Sequence, residues 1–148
     1  MKKIKHLGAY GLIIKGDKMV LIKKVGGPYD GKLDLPGGTI EWGETPEETL
    51  IRELKEEVGI DVLKYELFDA NSITFEWTYK DELENGHHLG IFYKILDYKN
   101  EILNNINIDS QNDDSNGAEF YNIKDLKKHM LSNIAILEIE KLGYKLLD

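Results

Sequence analysis

Three glutamates, Glu53, Glu56 and Glu57, stand at i, i+3 and i+4, a spacing that puts them on one edge of an α-helix within an arc of about 100°. Like charges so placed repel by a few tenths of a kcal/mol per pair in water, and by more where a fold restricts solvent. Something cationic is expected to offset them. An all-oxygen, strongly negative donor set in a chain without cysteine suits a hard divalent cation, Mg²⁺ or alternatively Mn²⁺. Such an ion keeps waters, binds substrate phosphates and lowers the pKa of a bound water, which is what hydrolysis of a phosphoanhydride requires. An acidic helix is more often only a solvated face. Here, however, Arg52 is the one arginine of the chain and precedes Glu53, where its rigid fork can orient carboxylates as lysine cannot.

The element that must carry these residues is legible. Thr45 is placed as N-cap, Pro46 at the first helical position and Glu48 three residues after the cap, while Gly59 follows Val58 as a left-handed C-terminal cap. Between them Leu50, Ile51, Leu54 and Val58 form a core-facing stripe beside the glutamates. Upstream, the apolar runs Leu7 to Ile14 and Met19 to Ile22 predict two strands around Gly16-Asp17, and residues 26–31 are expected to form a glycine-rich loop. Downstream, Ile73 to Tyr79 and Leu89 to Tyr98 predict an antiparallel pair turning at Asn85-Gly86. Asp109 to Gly117 is expected to be a mobile loop before a strand from Ala118 to Ile123. Helices are expected over Asp125 to Leu131 and over Asn133 to Leu142, the latter capped by Ser132.

The full spacing is Gly38, five residues, Glu44, seven residues, then Arg52-Glu53-Leu54-Lys55-Glu56-Glu57-Val58-Gly59-Ile60. It resembles a complete Nudix box, with no specified position departing from it. A chance match is on the order of one in ten million at roughly 6 to 7% per specified residue. Residues 35–38 before the box and Glu119-Phe120-Tyr121 near the end also resemble the wider, MutT-like family. That resemblance implies an α+β fold, a mixed β-sheet between α-helices with the box as loop-helix-loop. It also implies hydrolysis of a nucleoside diphosphate linked to another group. By the same resemblance Glu53, Glu56, Glu57 and the Gly38 carbonyl hold the metal, Arg52 orients the glutamates, and Glu44 supports the loop or the metal's water shell. The base that deprotonates water is Glu56 by first choice, or Glu119, because some members use a late carboxylate. Homodimers are common in the family.

With 148 residues the chain is expected to form one domain, and its net charge of −8 opposes binding of long nucleic acid or of an anionic membrane. The absence of cysteine removes disulfides, thiolate metal sites and cysteine nucleophiles. Lys2, Lys3 and Lys5 before an apolar stretch imitate a secretory signal, but no small-residue cleavage site follows and the stretch reads better as a strand; a cytoplasmic location is expected. Tyr29 in the glycine-rich loop and His87 at the start of a strand are candidates for contacting base or phosphate. Trp42, Trp77 and Tyr79 are set against the commoner core role of aromatics. A calcium-like run from Asn112 fails because its twelfth position is Ile123.

The prolines are Pro28, Pro36 and Pro46 only, so the downstream proline of many ADP-ribose hydrolases and the proline-rich array of NADH hydrolases are missing. The extra arginines of the coenzyme A signature and the cysteine of isopentenyl diphosphate isomerase are missing too. A small nucleotide is the expected partner, either hydrolysed or, in a second reading, bound without turnover by a sensing module.

Overall fold

The computed structural model describes residues 1–102 and 115–148. Strand β1 (Lys2–Leu12) runs parallel to β7 (Glu82–Lys99), with His6 opposite His88 and Tyr10 opposite Phe92. On its other side β1 pairs antiparallel with β5 (Gly37–Thr39), and β6 (Asp61–Tyr79) closes the sheet order β5-β1-β7-β6. A second, antiparallel sheet joins β2 (Ile14–Lys15), β3 (Lys18–Lys24) and β4 (Leu33–Asp34), with β8 (Ser115–Asn122) on β3.

Strand alternation sorts the core into two layers. Tyr10 and Leu12 of β1, Met19 and Leu21 of β3 and Phe92 of β7 pack with Ile134, Ala135 and Ile139 of helix α2 (Asn133–Lys141). Their neighbours Ala9, Ile13, Val20, Ile22, Tyr93 and Ile95 pack on the opposite side with Leu50, Leu54 and Val58 of helix α1 (Pro46–Val58). The sheets thus lie between two helices, as the family resemblance implied.

Helix α1 has the predicted ends. Thr45 and Glu48 form the reciprocal capping box and Gly59 adopts φ 86° to terminate the helix. Ser132 caps α2 by accepting from the Ala135 amide at 3.2 Å. Four expectations are corrected. The hairpin turns at Lys80-Asp81, both with positive φ, a two-residue geometry that suits the twist of paired strands. Gly86 is instead inside β7, where a side chain would put its Cβ 2.5 Å from the Phe75 ring. Residues 125–131 form no α-helix; the 3₁₀ turns Ile123–Asp125 and Lys128–Met130 flank Leu126, which is buried. Finally, Ser115 to Gly117 belong to β8, while residues 109–114 of the expected loop lie outside the described residues. Strand β1 also begins at Lys2 rather than Leu7, since pairing with β7 continues to the chain start.

Helix α2 is tied to β6 by an acidic pair. Both carboxyl oxygens of buried Glu138 and the Oδ2 of Asp69 meet no donor, while Lys141 donates to Asp69 Oδ1 at 2.6 Å. The two carboxyls share a proton: burial, then the hydrogen bond with Asp69 and its charge, raise Glu138 to about 8 against the opposing pull of Lys141 and the Asn71 side chain. The folded chain therefore keeps a proton that the unfolded chain releases above its ordinary value of 4.5. This contribution to stability is complete below that value and is lost as pH rises through about 8. Glu138→Gln supplies a permanent N–H donor, so its melting temperature relative to wild type should rise between pH 5 and pH 9. Paired thermal melts across that range check this, and a pH-independent difference would contradict the shared proton.

Candidate active site

The α1 glutamates face a cleft of about 980 Å³ bounded by α1, β5, β1, β7, the tip of β6 and the residue 26–29 loop. Arg52 organises its acidic wall. Nε donates to Glu44 Oε2 at 2.8 Å and Nη2 to Glu44 Oε1 at 2.9 Å, a bidentate fork. Nη1 donates to Glu53 Oε1 at 3.0 Å and lies 3.5 Å from Glu56 Oε2, while Nη2 also reaches the Thr39 carbonyl at 3.3 Å. Glu44 is further held by the Thr49 hydroxyl and the Glu41 amide, both at 2.9 Å. The Arg52 hydrogen bonds, followed by the Glu41 amide, lower its carboxyl to about 2. The clamp is complete above the ordinary value of 4.5 and releases as pH falls through about 2.

The three helix glutamates have different surroundings. Glu57 is 4% exposed and accepts the Gly37 amide at 2.8 Å. Glu53 lies against Gly38 so closely that a Cβ there would stand 2.6 Å from its Oε1. Burial raises Glu53 to about 7 against the pull of Arg52, and the Glu56 charge adds to the rise. Glu56 is the most open, with 54% of its side chain exposed. Among the described residues no three acidic or histidine side chains converge as a finished chelate. A magnesium-type ion needs none, because it keeps several waters and takes one or two carboxylates. The all-oxygen donor set, and a glutamate whose ionisation is opposed by burial and a neighbouring carboxylate, fit such a cation.

Across the cleft the parallel register places His6, Tyr10 and His88 on one sheet face. His88 Nε2 and the Tyr10 hydroxyl share a hydrogen bond at 2.6 Å, and burial, followed by the charge of His6, lowers His88 to about 3, leaving it neutral. Thr39 and His6 share another at 2.6 Å. Tyr29 packs over this face, its ring 5.6 Å from Phe75 and 6.3 Å from His88. Lys5 and Lys24 add positive charge to the rim.

Of the residues expected from sequence, Gly38, Arg52, Glu53, Glu56, Glu57, Tyr29 and His87 all line the cleft. Glu44 is not among the lining residues and accepts the Arg52 fork. Glu119 is not brought there. It is exposed on β8, accepts the Tyr121 hydroxyl and lines a separate depression with Lys15 and Tyr98. Trp77 lines the cleft, whereas Trp42 is fully exposed. His6, Tyr10 and Phe75 were missed because the pairing of β7 with both β1 and β6 assembles them, and Asp34 because it is placed by the pairing of β4 with β3.

The family model described as the NUDIX domain matches residues 5–138. The chain belongs to the Nudix family. An ADP-ribose pyrophosphatase of Methanocaldococcus jannaschii is 35% identical over 118 residues, which cover 80% of this Nudix chain and 62% of that protein. The chain thus spans less than two thirds of that relative's length. An 8-oxo-dGTP diphosphatase of Proteus vulgaris is 31% identical over 102 residues, covering 68% of this chain and 84% of that one. The crystal structure of a MutT NUDIX hydrolase from Burkholderia pseudomallei superposes with TM-score 0.72 at 21% identity, covering 94% of this chain and 98% of that one, a likeness of fold.

Arg52→Lys keeps the charge of this Nudix helix but loses the fork that joins Glu44 to Glu53. The variant should melt at a lower temperature than wild type at neutral pH. Thermal melts of the metal-free proteins check this, and an unchanged midpoint would make the lone arginine incidental.

Proposed function

We propose that this Nudix protein is a Mg²⁺-dependent pyrophosphohydrolase of a small nucleotide, cleaving a phosphoanhydride in a nucleoside triphosphate or a nucleoside diphosphate linked to another group. The observation that carries this reading is the cleft itself. One wall holds three ordered carboxylates, and the other presents aromatic rings beside two lysines. Glu53, Glu56 and Glu57, with the Gly38 carbonyl, would hold the divalent ion; when bound it neutralises phosphate charge and acidifies water.

The chain's own residues divide the remaining work. Glu57 is tied to the Gly37 amide and Glu53 to Arg52, which leaves the more open Glu56 to accept a proton. As water attacks phosphorus, a new P–O bond forms, the bridging P–O bond breaks, and the leaving phosphate takes the bridging electron pair. Glu56 takes the proton from the water. Lys5 and Lys24 are positioned at the cleft to meet phosphate charge that the ion leaves exposed. Tyr10 and His88 present a hydrogen-bonded face opposite the acidic wall.

The substrates named for the two relatives, ADP-ribose and 8-oxo-dGTP, both fit this class. A net charge of −8 and a single, fully engaged arginine disfavour a long polyanion.

Glu56→Gln and Glu57→Gln remove charge at nearly constant shape. Both should lower metal-dependent turnover by two or more orders of magnitude without lowering the melting temperature of the metal-free protein. Product-resolved hydrolysis of nucleoside triphosphates, oxidised purine nucleotides and ADP-ribose, with and without Mg²⁺, tests both the activity and these variants. Wild-type rates in both variants would overturn the assignment. Calorimetric metal binding without turnover of any of these nucleotides would favour the sensing module.

A further inference from the structure

Strand β6 is the edge of its sheet: β7 pairs with one side of it, and no described strand pairs with the other. Its residues Phe75 and Trp77 meet the cleft. At the opposite end of the strand residues 63–67 are all exposed, with Leu63 at 53%, Tyr65 at 37% and Leu67 at 66%. Tyr65 and Leu67 lie opposite Ile95 and Tyr93 of β7, which belong to the core under α1, and the rings of Tyr65 and Tyr93 meet edge to face at 5.6 Å. Three large apolar side chains within five exposed residues, on a strand whose outer backbone groups no described strand takes up, are what an edge strand ordinarily avoids unless something pairs with it.

The order of these residues is self-complementary. In Leu63-Lys64-Tyr65-Glu66-Leu67 a leucine stands at each end, and a cation and an anion flank the tyrosine. A two-fold axis through Tyr65 that pairs two such edges antiparallel sets Tyr65 on Tyr65, each Leu63 on Leu67 of the second copy, and each Lys64 on Glu66 of the second copy. Both are favourable kinds of cross-strand pair. Moving the axis by one residue sets Lys64 on Lys64 or Glu66 on Glu66, and like charges directly opposite are destabilising. The charge pattern therefore selects one register. Register shifts against β7 at Val62/Lys64, Lys64/Tyr65 and Leu67/Asp69 break this end of β6 into short runs, which disfavours open-ended addition of strands and leaves a short, closed contact.

We propose that residues 63–67 of β6 are a homodimer contact, in which a second copy of this chain pairs edge to edge about a two-fold axis through Tyr65 and joins the two sheets. This fixes the surface, the register and the ion pairs, none of which the family resemblance supplies. It is independent of the hydrolase reading, because the cleft is met by the other end of the strand. A five-residue edge is small beside the roughly 800 Å² per partner of a standard interface, so the dimer is expected to form reversibly as concentration rises.

Sedimentation velocity of the full chain over a range of concentrations tests this, and wild type should pass from monomer to dimer. Lys64→Glu and Glu66→Lys each turn both ion pairs into like-charge pairs, so each variant alone should dimerise at least about tenfold more weakly. An equimolar mixture of the two variants should recover the wild-type affinity, since an all-acidic edge then meets an all-basic one. The mixture separates pairing across the contact from effects within one chain, where Lys64 lies opposite Asp97 and Glu66 opposite Lys94. Thermal melts of each variant confirm that it is folded at the temperature of the experiment. A wild-type chain that stays monomeric at its highest soluble concentration would overturn the proposal. So would a dimer that both reversals leave unchanged, or a mixture that associates no more tightly than either variant alone.

Discussion

The arrangement of the site depends on how one guanidinium holds carboxylates that would otherwise repel one another. Arg52 sits on the same helix as Glu53, Glu56 and Glu57, and its fork closes on Glu44 from the loop before that helix. The clamp fixes the loop against α1, and the Thr39 carbonyl at the end of β5 is drawn to the same group. With Glu44 spent on Arg52, Glu53, Glu56 and Glu57 are the acids that α1 directs at the cleft. Burial opposes the ionisation of Glu53 while Arg52 supports it. The acidic wall is therefore a balanced charge cluster, which a divalent cation would stabilise further.

Glycines make this crowding possible. Gly38 leaves room for the Glu53 carboxylate, and Gly37, at φ 144° with a virtual Cβ 2.2 Å from the Ala9 carbonyl, lets β5 lie against β1. The Gly37 amide then reaches Glu57. A side chain at either position would separate the strand from the helix that carries the chemistry. Gly86 plays a parallel part on the opposite wall by letting Phe75 lie over β7. The same pattern of turn-like Asn85-Gly86 that suggests a hairpin thus serves close approach of a ring.

The two walls are joined by elements distant in sequence. β1 and β7 pair in parallel, so that His6 meets His88, and the cap of α2 locks Asp34 through Ser132. The C-terminal helix consequently has a second role besides covering the core. It holds a carboxylate at the inner end of the cleft, while α1 holds the carboxylates at the other wall.

Local chemistry determined what could be read from residue order alone. Helix α1, its capping box, its glycine stop and its glutamate edge follow from interactions within a few residues, and so do Ser132 as a cap and the Gly16-Asp17 turn. Family resemblance added the sandwich of helices and sheet. Tertiary structure decided which side of each strand meets the cleft, because that depends on register between segments as far apart as residues 6 and 88. It also placed Glu119 outside the cleft, on a strand whose side-chain direction is set by pairing with β3. The Lys80-Asp81 turn was likewise decided by strand pairing, which drove two ordinary residues to positive φ. Helical caps and stripes are short-range and periodic, whereas a cleft wall is made by partners whose proximity no local pattern records.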